Sequence, residues 1–332
     1  MAGVSVVVPL YNKGPYLLRA LTSIAHQSYS DFEVIVVNDG STDHGEDIAN
    51  TFPDRRFRVL HQENAGPGAA RNRGVAQASG SLIAFLDADD EWLPDYLEGA
   101  VRAFGERPDI AAFTQGYIEY PSGRSTEPMW RKRGLLEGVQ VLGQSAELLH
   151  YMLAYMTPPA TVARIEVVRK WGGFYEHRCT FGEDSFLWLK ILLNEQVAFA
   201  LQPGVKVHRE SASLSRNLQA ARPLEPMLAH PELITEICPA RLLPLLRGLY
   251  ALRAFKTACV WGYYGDWRLA AKIRRQFRTE GDFHLPYYVS SWVCATPVGA
   301  GLGAAWRTLL SVIGVEGGRY LTQATRAHEV CK

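Results

Sequence analysis

Apolar residues in the N-terminal third of the chain fall into short solid runs, each closed by polar residues. Val4-Ser5-Val6-Val7-Val8 opens the first, over residues 4–10, ended by Pro9 and the polar Tyr11-Asn12. Phe32 to Val37 is the second and leads into Asn38-Asp39-Gly40-Ser41. Phe57 to Leu60 is the third, and Ser81 to Leu86 the fourth, closed by Asp87-Ala88-Asp89-Asp90. Between the runs the spacing becomes helical: Leu17, Leu18, Leu21, Ile24 and Ala25 fall at i, i+1, i+4, i+7 and i+8. A helix is predicted from Asp43, and another over Ala69 to Ala78 behind Gly66 and Gly68. Solidly apolar strands alternating with helices predict a parallel sheet covered on both faces. In such a sheet Asn12, Asp39, the segment after His61 and Asp87 converge on one rim, the edge where open α/β sheets bind ligands.

Farther along, Pro94 to Glu106 reads as a helix, Ile110 to Tyr120 as a strand, Ser145 to Met156 as a helix and Thr161 to Ala163 as a short strand. Pro121 to Gly143, rich in Gly, Arg and Pro, is expected to be a loop. Glu183 to Leu193 has apolar residues nearly all round and predicts a buried helix. Beyond about residue 216 leucine, alanine and arginine dominate. Two helices, Leu242 to Val260 and Trp267 to Arg278, are expected around the turn Tyr264-Gly265-Asp266. The uncharged stretch Leu285 to Trp306 is long enough to cross a bilayer. Pro286, Pro297 and its glycines favour an interfacial or buried helical segment instead.

The 332 residues are 47% apolar and carry a formal net charge of +1, so no global field points to nucleic acid. Five scattered cysteines (Cys179, Cys238, Cys259, Cys294 and Cys331) lack metal-type spacing and fit a reduced, cytoplasmic compartment. The N-terminus opens directly on a strand, so no signal peptide is expected.

The acids at the end of the fourth run suit a hard divalent cation carrying a phosphate ligand, because crowded carboxylates repel unless something positive joins them. A solvated Asp-rich turn with a helix N-cap is the plainer alternative. Asp39, at the end of the second strand, is placed to accept hydrogen bonds from a base or ribose. A dinucleotide fold would need Gly-x-Gly-x-x-Gly after the first strand, where this chain has Pro9-Leu10-Tyr11-Asn12-Lys13-Gly14. Arg71, at the start of a helix, suits a diphosphate; Arg73 reads as a surface arginine.

Blocks in this order resemble family 2 glycosyltransferases: Val6-Val7-Val8-Pro9-Leu10-Tyr11-Asn12, Val36-Val37-Asn38-Asp39-Gly40-Ser41-Thr42-Asp43, Gly68-Ala69-Ala70-Arg71-Asn72-Arg73-Gly74 and Phe85-Leu86-Asp87-Ala88-Asp89-Asp90. Trp171-Gly172-Gly173-Phe174 and Gly182-Glu183-Asp184 resemble the family's acceptor-side signature. The resemblance covers residues 4 to 215. It implies the nucleotide-diphospho-sugar transferase fold, a Rossmann-like α/β domain with a mixed, mainly parallel sheet, followed here by a helical C-terminal extension. Residues 1–105 would form the nucleotide-sugar-binding half, 106–215 the acceptor-binding half and 216–332 the extension. By the same resemblance Pro9, Tyr11, Asn12 and Asp39 would line the nucleotide pocket with Arg71 close by, and Asp87 would hold the ribose. Asp89 would bind the Mn²⁺ or Mg²⁺ that bridges the phosphates. Asp184 would be the catalytic base, with Glu183 beside it.

The implied reaction is inverting, metal-dependent transfer of a hexosyl-type sugar from a nucleotide-diphospho-sugar, expected to be a UDP-sugar. The implied acceptor is a hydroxyl of a cell-envelope glycan or lipid-linked oligosaccharide. His208 completes the metal shell, contacts the donor phosphates, or is a structural or surface residue, and Arg209 and Ser213 are further candidates to reach the diphosphate. Trp130 and Trp171 are candidates to stack on an acceptor sugar; Trp188 reads as core. Arg268, Lys272 and Arg275 share one side of a helix whose other side carries Leu269, Ile273 and Phe277. That helix is either an ordinary solvated one or a peripheral contact with the inner face of an anionic membrane. Two rival functions stay open: a sugar-nucleotide nucleotidyltransferase on a related core, and an inactive sugar-binding or scaffold relative. Neither a Gln-x-x-Arg-Trp block nor convincing membrane spans mark a processive synthase.

Overall fold

Val4–Leu10 is a strand (β1) because its β-branched side chains fit between two covering layers, and almost every position in it is buried. It pairs in parallel with β2 (Phe32–Asp39) on one side and β4 (Leu82–Phe85) on the other. β3 (Phe57–Gln62) extends the sheet beyond β2, also in parallel. On the other side of β4 follow β9 (Thr161–Arg164), β6 (Ala112–Tyr120), β10 (Val197–His208) and the two-residue β5 (Glu91–Trp92), giving the order β3-β2-β1-β4-β9-β6-β10-β5. The structure is a computed structural model that describes residues 3–143, 145–177, 179, 181–210, 223–278 and 285–312.

The sheet is mixed, with its long ladders parallel. Strand–helix alternation alone predicts parallel pairing throughout, and β9 departs from it. This four-residue strand follows the 3-10 turn Pro158–Ala160 and runs antiparallel to both β4 and β6. Because β6 and β10 are parallel to each other and each reversal through β9 cancels, the C-terminal ends of β1, β2, β4, β6 and β10 share one rim. The chain reverses its direction of growth between β1 and β4, which makes their C-terminal ends the topological switch point.

Helices α1 (Gly14–Ala25) and α3 (Pro67–Gln77) flank the sheet. In α1, Leu17, Leu21 and Ile24 are buried on one face, as the spacing requires. In α3 three of the inward residues, Gly68, Ala70 and Gly74, are small, so the helix lies close to β1: a Cβ at Gly74 would collide with the Val7 side chain. Helix α8 (Glu183–Asn194) is buried nearly all round, with Trp188 wholly inside.

The segment 121–143, expected to be a loop, contains β7 (Arg124–Ser125), α5 (Glu127–Lys132) and β8 (Gly138–Val139). Trp130 sits inside it at 2% exposure, its ring edge-on to Tyr155 at 5.1 Å. Its indole is therefore a core element and has no face to offer a sugar. The polar composition of the segment concealed two inward residues, Trp130 and Leu135, that anchor it.

Chain contacts divide the protein into two compact units, Met1–Ala212 with His230–Leu242, and Ser213–Ala229 with Leu243–Lys332. The first contains the whole sheet, so residues 1–105 and 106–212 share one core. The second is helical among its described residues: Leu243–Tyr263, Trp267–Gln276, Leu285–Cys294 and Pro297–Val312 are its longer helices. The stretch Leu285 to Trp306 is thus broken at Thr296-Pro297, and among the described residues no helix is long and apolar enough to cross a membrane. Ser213 and Cys331 lie outside the described residues.

Candidate active site

At the switch point β4 releases Asp87, Ala88, Asp89 and Asp90, and their side chains meet different fates. Asp87 accepts a hydrogen bond from Arg71 at 2.8 Å and stays about one-third exposed. Asp89 is paired with Lys13 Nζ at 2.6 Å, and Arg19 donates to its backbone carbonyl at 2.7 Å. Asp90 is buried and accepts the His208 backbone N–H at 2.9 Å. Burial pushes the Asp90 carboxyl well above the usual carboxylate range, and the charges of Asp87 and Asp89 push it further. The three acids are therefore not equivalent: Asp90 turns inward, where burial disfavours its charge, and Asp87 and Asp89 are each matched by a cation.

Arg71 is the hub. Its guanidinium is buried, donates to Asp87 on one side and to Glu183 Oε1 at 2.9 Å on the other, and lies 5.2 Å from the Phe174 ring centroid. Burial disfavours its charge, but Asp87, Glu183 and Asp184 outweigh that and raise its pKa. Burial and the Asp184 charge push the Glu183 carboxyl up, and the Arg71 contact pulls it back. Glu183 and Asp184 form the first turn of α8 behind Gly182, whose φ of 78° is a left-handed conformation that favours glycine. Asp184 is half-buried and accepts the Ser185 N–H at 2.7 Å. The sheet end and the Glu-Asp pair, separated by nearly a hundred residues, therefore occupy one place.

Asn72, next to the hub, is a residue that sequence reasoning passed over. Its side chain donates to the Phe174 carbonyl and accepts the Phe174 N–H, both at 2.8 Å, and it also donates to Glu176. Gly173 must be glycine because φ is +71° and a Cβ would collide with the Asn72 amide oxygen. Gly68 lets α3 approach the Tyr175 carbonyl. Phe174 in turn packs edge-on against Phe85 and Trp188 at 4.9 Å and 5.6 Å. Arg71 and Asn72 thus clamp the Trp171–Phe174 block and the Glu183-Asp184 pair onto the end of the sheet.

The other expected residues are less uniform. Pro9 lies in β1, and Tyr11 is half exposed at the rim. Asn12 adopts a φ of 51° and its amide oxygen accepts from Thr42 N at 2.8 Å, tying the turn after β1 to the loop after β2. Asp39 is buried and its carboxylate accepts from Gln62 Nε2, Ala65 N and Gly66 N at 2.7, 2.9 and 2.9 Å, so it shapes the loop that begins α3. His208 is buried with its ring nitrogens 3.4 Å from Glu91 and 3.7 Å from Glu210. Arg209 is paired with Glu119, and the Trp171 indole donates to Glu195.

Residues 5–157 match the family model described as Glycosyl transferase family 2. The chain carries a family 2 glycosyltransferase domain. Relatives agree with the domain assignment. Bacillus subtilis EpsH is 45% identical over 109 residues, 32% of each chain. The glycosyltransferase GlyA of Streptococcus pneumoniae is 31% identical over 64% of this chain and 31% of its own length. B. subtilis EpsJ is 28% identical over 63% of this chain and 61% of its own. This chain thus spans about a third of EpsH and of GlyA. Among solved structures, Staphylococcus aureus TarS 1-349 superposes with a TM-score of 0.56 at 18% identity, covering 92% of this chain and 91% of that one. That likeness shows the fold. The family 2 domain model ends before the Trp171–Phe174 block and Glu183-Asp184, which Arg71 and Asn72 attach to it.

Proposed function

We propose that this protein is an inverting glycosyltransferase that moves a sugar from a nucleotide-diphospho-sugar, a UDP-sugar, to a hydroxyl acceptor of a cell-envelope glycan or lipid-linked oligosaccharide. The observation that carries the reading is the Arg71 bridge, which puts Asp184 beside the strand-end acids of the switch point. A TarS 1-349 crystal contains UDP-GlcNAc, which supports a uridine donor for a chain of the same fold.

In this reading Tyr11 and Pro9 border the base, with Asn12 and Asp39 holding the two loops that enclose it. Asp87, the most open of the strand-end acids, faces the ribose. Asp184 takes the proton from the acceptor hydroxyl as its oxygen bonds to the anomeric carbon. The bond from that carbon to the diphosphate oxygen breaks, and the electron pair leaves with the nucleoside diphosphate. Glu183 is a positioning residue: committed to Arg71, it fixes the first turn of α8 and leaves Asp184 as the base.

Asp87, Asp89 and Asp90 are the strand-end oxygen donors nearest to where a divalent cation would sit. Among the described residues no group of three or more His, Cys, Asp or Glu side chains is placed to hold a metal by itself. Asp89 offers hard oxygen at the rim, which suits Mn²⁺ or Mg²⁺ held jointly by one carboxylate and the donor's phosphates. When bound, such an ion neutralises charge on the leaving diphosphate. His208 contributes through Asp90 and Glu91 at the end of β10 and is assigned no ligand role.

The test is turnover with a panel of nucleotide sugars and saccharide acceptors, following released nucleotide and the anomeric configuration of the product. Release of UDP with inversion supports the reading. Release of pyrophosphate would instead make the protein a nucleotidyltransferase. Tight UDP binding with no turnover and no response to Mn²⁺ would make it a scaffold.

A further inference from the structure

The helical C-terminal unit has one side built for close packing and another that nothing in the unit covers. A Cβ at Gly262 would collide with the Cys294 carbonyl, and one at Gly303 with the Tyr263 carbonyl. Helices Leu285–Cys294 and Pro297–Val312 therefore meet the long helix Leu243–Tyr263 backbone to backbone. Their opposite faces point outward. Val289 and Trp292 on the first are 51% and 60% exposed; Val298, Leu302 and Trp306 on the second are 70%, 63% and 46% exposed. From Val289 to Trp306 the chain has no charged residue.

Beside this apolar face lies helix Trp267–Gln276, joined to it where Arg274 donates to Ser291 at 3.1 Å and covers the Tyr288 ring at 4.5 Å. Ala270 and Ile273 are its buried side. Its outward side carries Arg268, Lys272 and Arg275, with Arg278 just beyond, and no Asp or Glu occurs between Trp267 and Arg278. A protein partner of ordinary composition would leave either the cations or the tryptophans unmatched. An anionic bilayer matches both at once: phosphate headgroups answer the arginines, and the headgroup–acyl boundary takes up indole and aliphatic side chains. Among the described residues no helix is both long and apolar enough to span, so the geometry is that of a surface that lies on the membrane.

We propose that the outer face of the C-terminal unit, formed by Trp292, Leu302 and Trp306 beside Arg268, Lys272 and Arg275, docks on an anionic lipid surface. This gives the membrane side of the basic helix, left open by sequence, a defined apolar companion. It stands apart from the sugar-transfer reading, because lipid binding is measured without donor or acceptor.

The experiment is flotation of the full chain with phosphatidylcholine vesicles and with vesicles containing phosphatidylglycerol, together with tryptophan emission. Binding to the anionic vesicles, weakened by salt and accompanied by a blue shift, is expected. The Trp292→Ser/Trp306→Ser double variant should lose the blue shift and most of the binding. Arg268→Gln/Lys272→Gln/Arg275→Gln should weaken binding on the order of a hundredfold. Circular dichroism checks folding; if the tryptophan variant unfolds, Leu302→Gln replaces it, with weaker binding expected. Failure to float with anionic vesicles, or equal binding to neutral ones, overturns the proposal. So does a concentration-dependent dimer that the tryptophan variant abolishes, since that assigns the face to a second copy.

Discussion

Arg71 on α3 and Glu183 on α8, 112 residues apart, meet at 2.9 Å inside the protein, with Asp87 on the other fork of the guanidinium. The site is assembled by this contact more than by any run of sequence. Arg71→Met would strand two carboxylates, one of them buried, without their cation. We expect a loss of about 3–5 kcal/mol of stability, since removing one partner of a buried pair leaves an uncompensated charge. Urea unfolding of Arg71→Met, Glu183→Gln and the double variant tests this. The double variant should be less destabilised than the sum of the singles, and simple additivity would refute the coupling.

Asp184→Asn keeps the size and the helix turn but cannot accept the acceptor's proton. Donor binding, measured by calorimetry with UDP, should change little, while turnover falls about 10²–10⁴-fold. Glu183→Gln should lower turnover and stability together, because it acts through Arg71. If Asp184→Asn retains most of its turnover, the base lies elsewhere.

Lys13 and Asp89 form a pair at 2.6 Å in which both side chains are largely buried. Lys13 is thus the cation that Asp89 holds before any metal arrives. Asp89→Asn should abolish the Mn²⁺-dependent part of UDP affinity, whereas Lys13→Met should raise Mn²⁺ affinity without nucleotide on the order of tenfold. Paramagnetic resonance of free Mn²⁺ in titrations of the two variants reads both effects. Lower Mn²⁺ affinity in Lys13→Met would show that the two cations do not compete.

The sheet was legible because β1, β2 and β4 are continuous apolar runs, and a buried parallel strand needs no more signal than that. The acids of the rim were legible for the same reason: a polar cluster at the end of such a run has one place to go. What stayed hidden was long-range pairing. Asn72 looks like any polar residue in a helix of small residues until Phe174, 102 positions later, supplies its partners. The Gly172-Gly173 pair was the available signal, because adjacent glycines mark a backbone that something approaches closely. The direction of β9 had no local signature in four residues. Trp130 was misplaced because its anchoring role depends on Tyr155, and composition alone described its surroundings as a loop.

Glu33 offers a pH-dependent test of the sheet independent of catalysis. On β2, its Oε1 accepts from Ser5 Oγ on β1 at 2.6 Å and from Ser79 N and Oγ at 2.7 Å, and Arg58 Nη2 approaches Oε2 at 3.3 Å. Burial alone would raise its pKa, but the bonds from Ser5, Ser79 and Arg58 prevail and lower it from 4.5 to about 2. A carboxyl depressed in the folded state stabilises the fold above its unfolded pKa, and the contribution is lost as pH falls toward the folded value. The window is therefore between about pH 4.5 and about 2. The carboxylate is partly exposed, so solvent screening limits its worth to about 1–2 kcal/mol, below the full linkage value. Glu33→Gln should lose that amount at neutral pH and show a flatter decline in urea midpoint below pH 4.5 than the parent. Parallel acid profiles for parent and variant would show that the three donors do not hold a charged carboxylate.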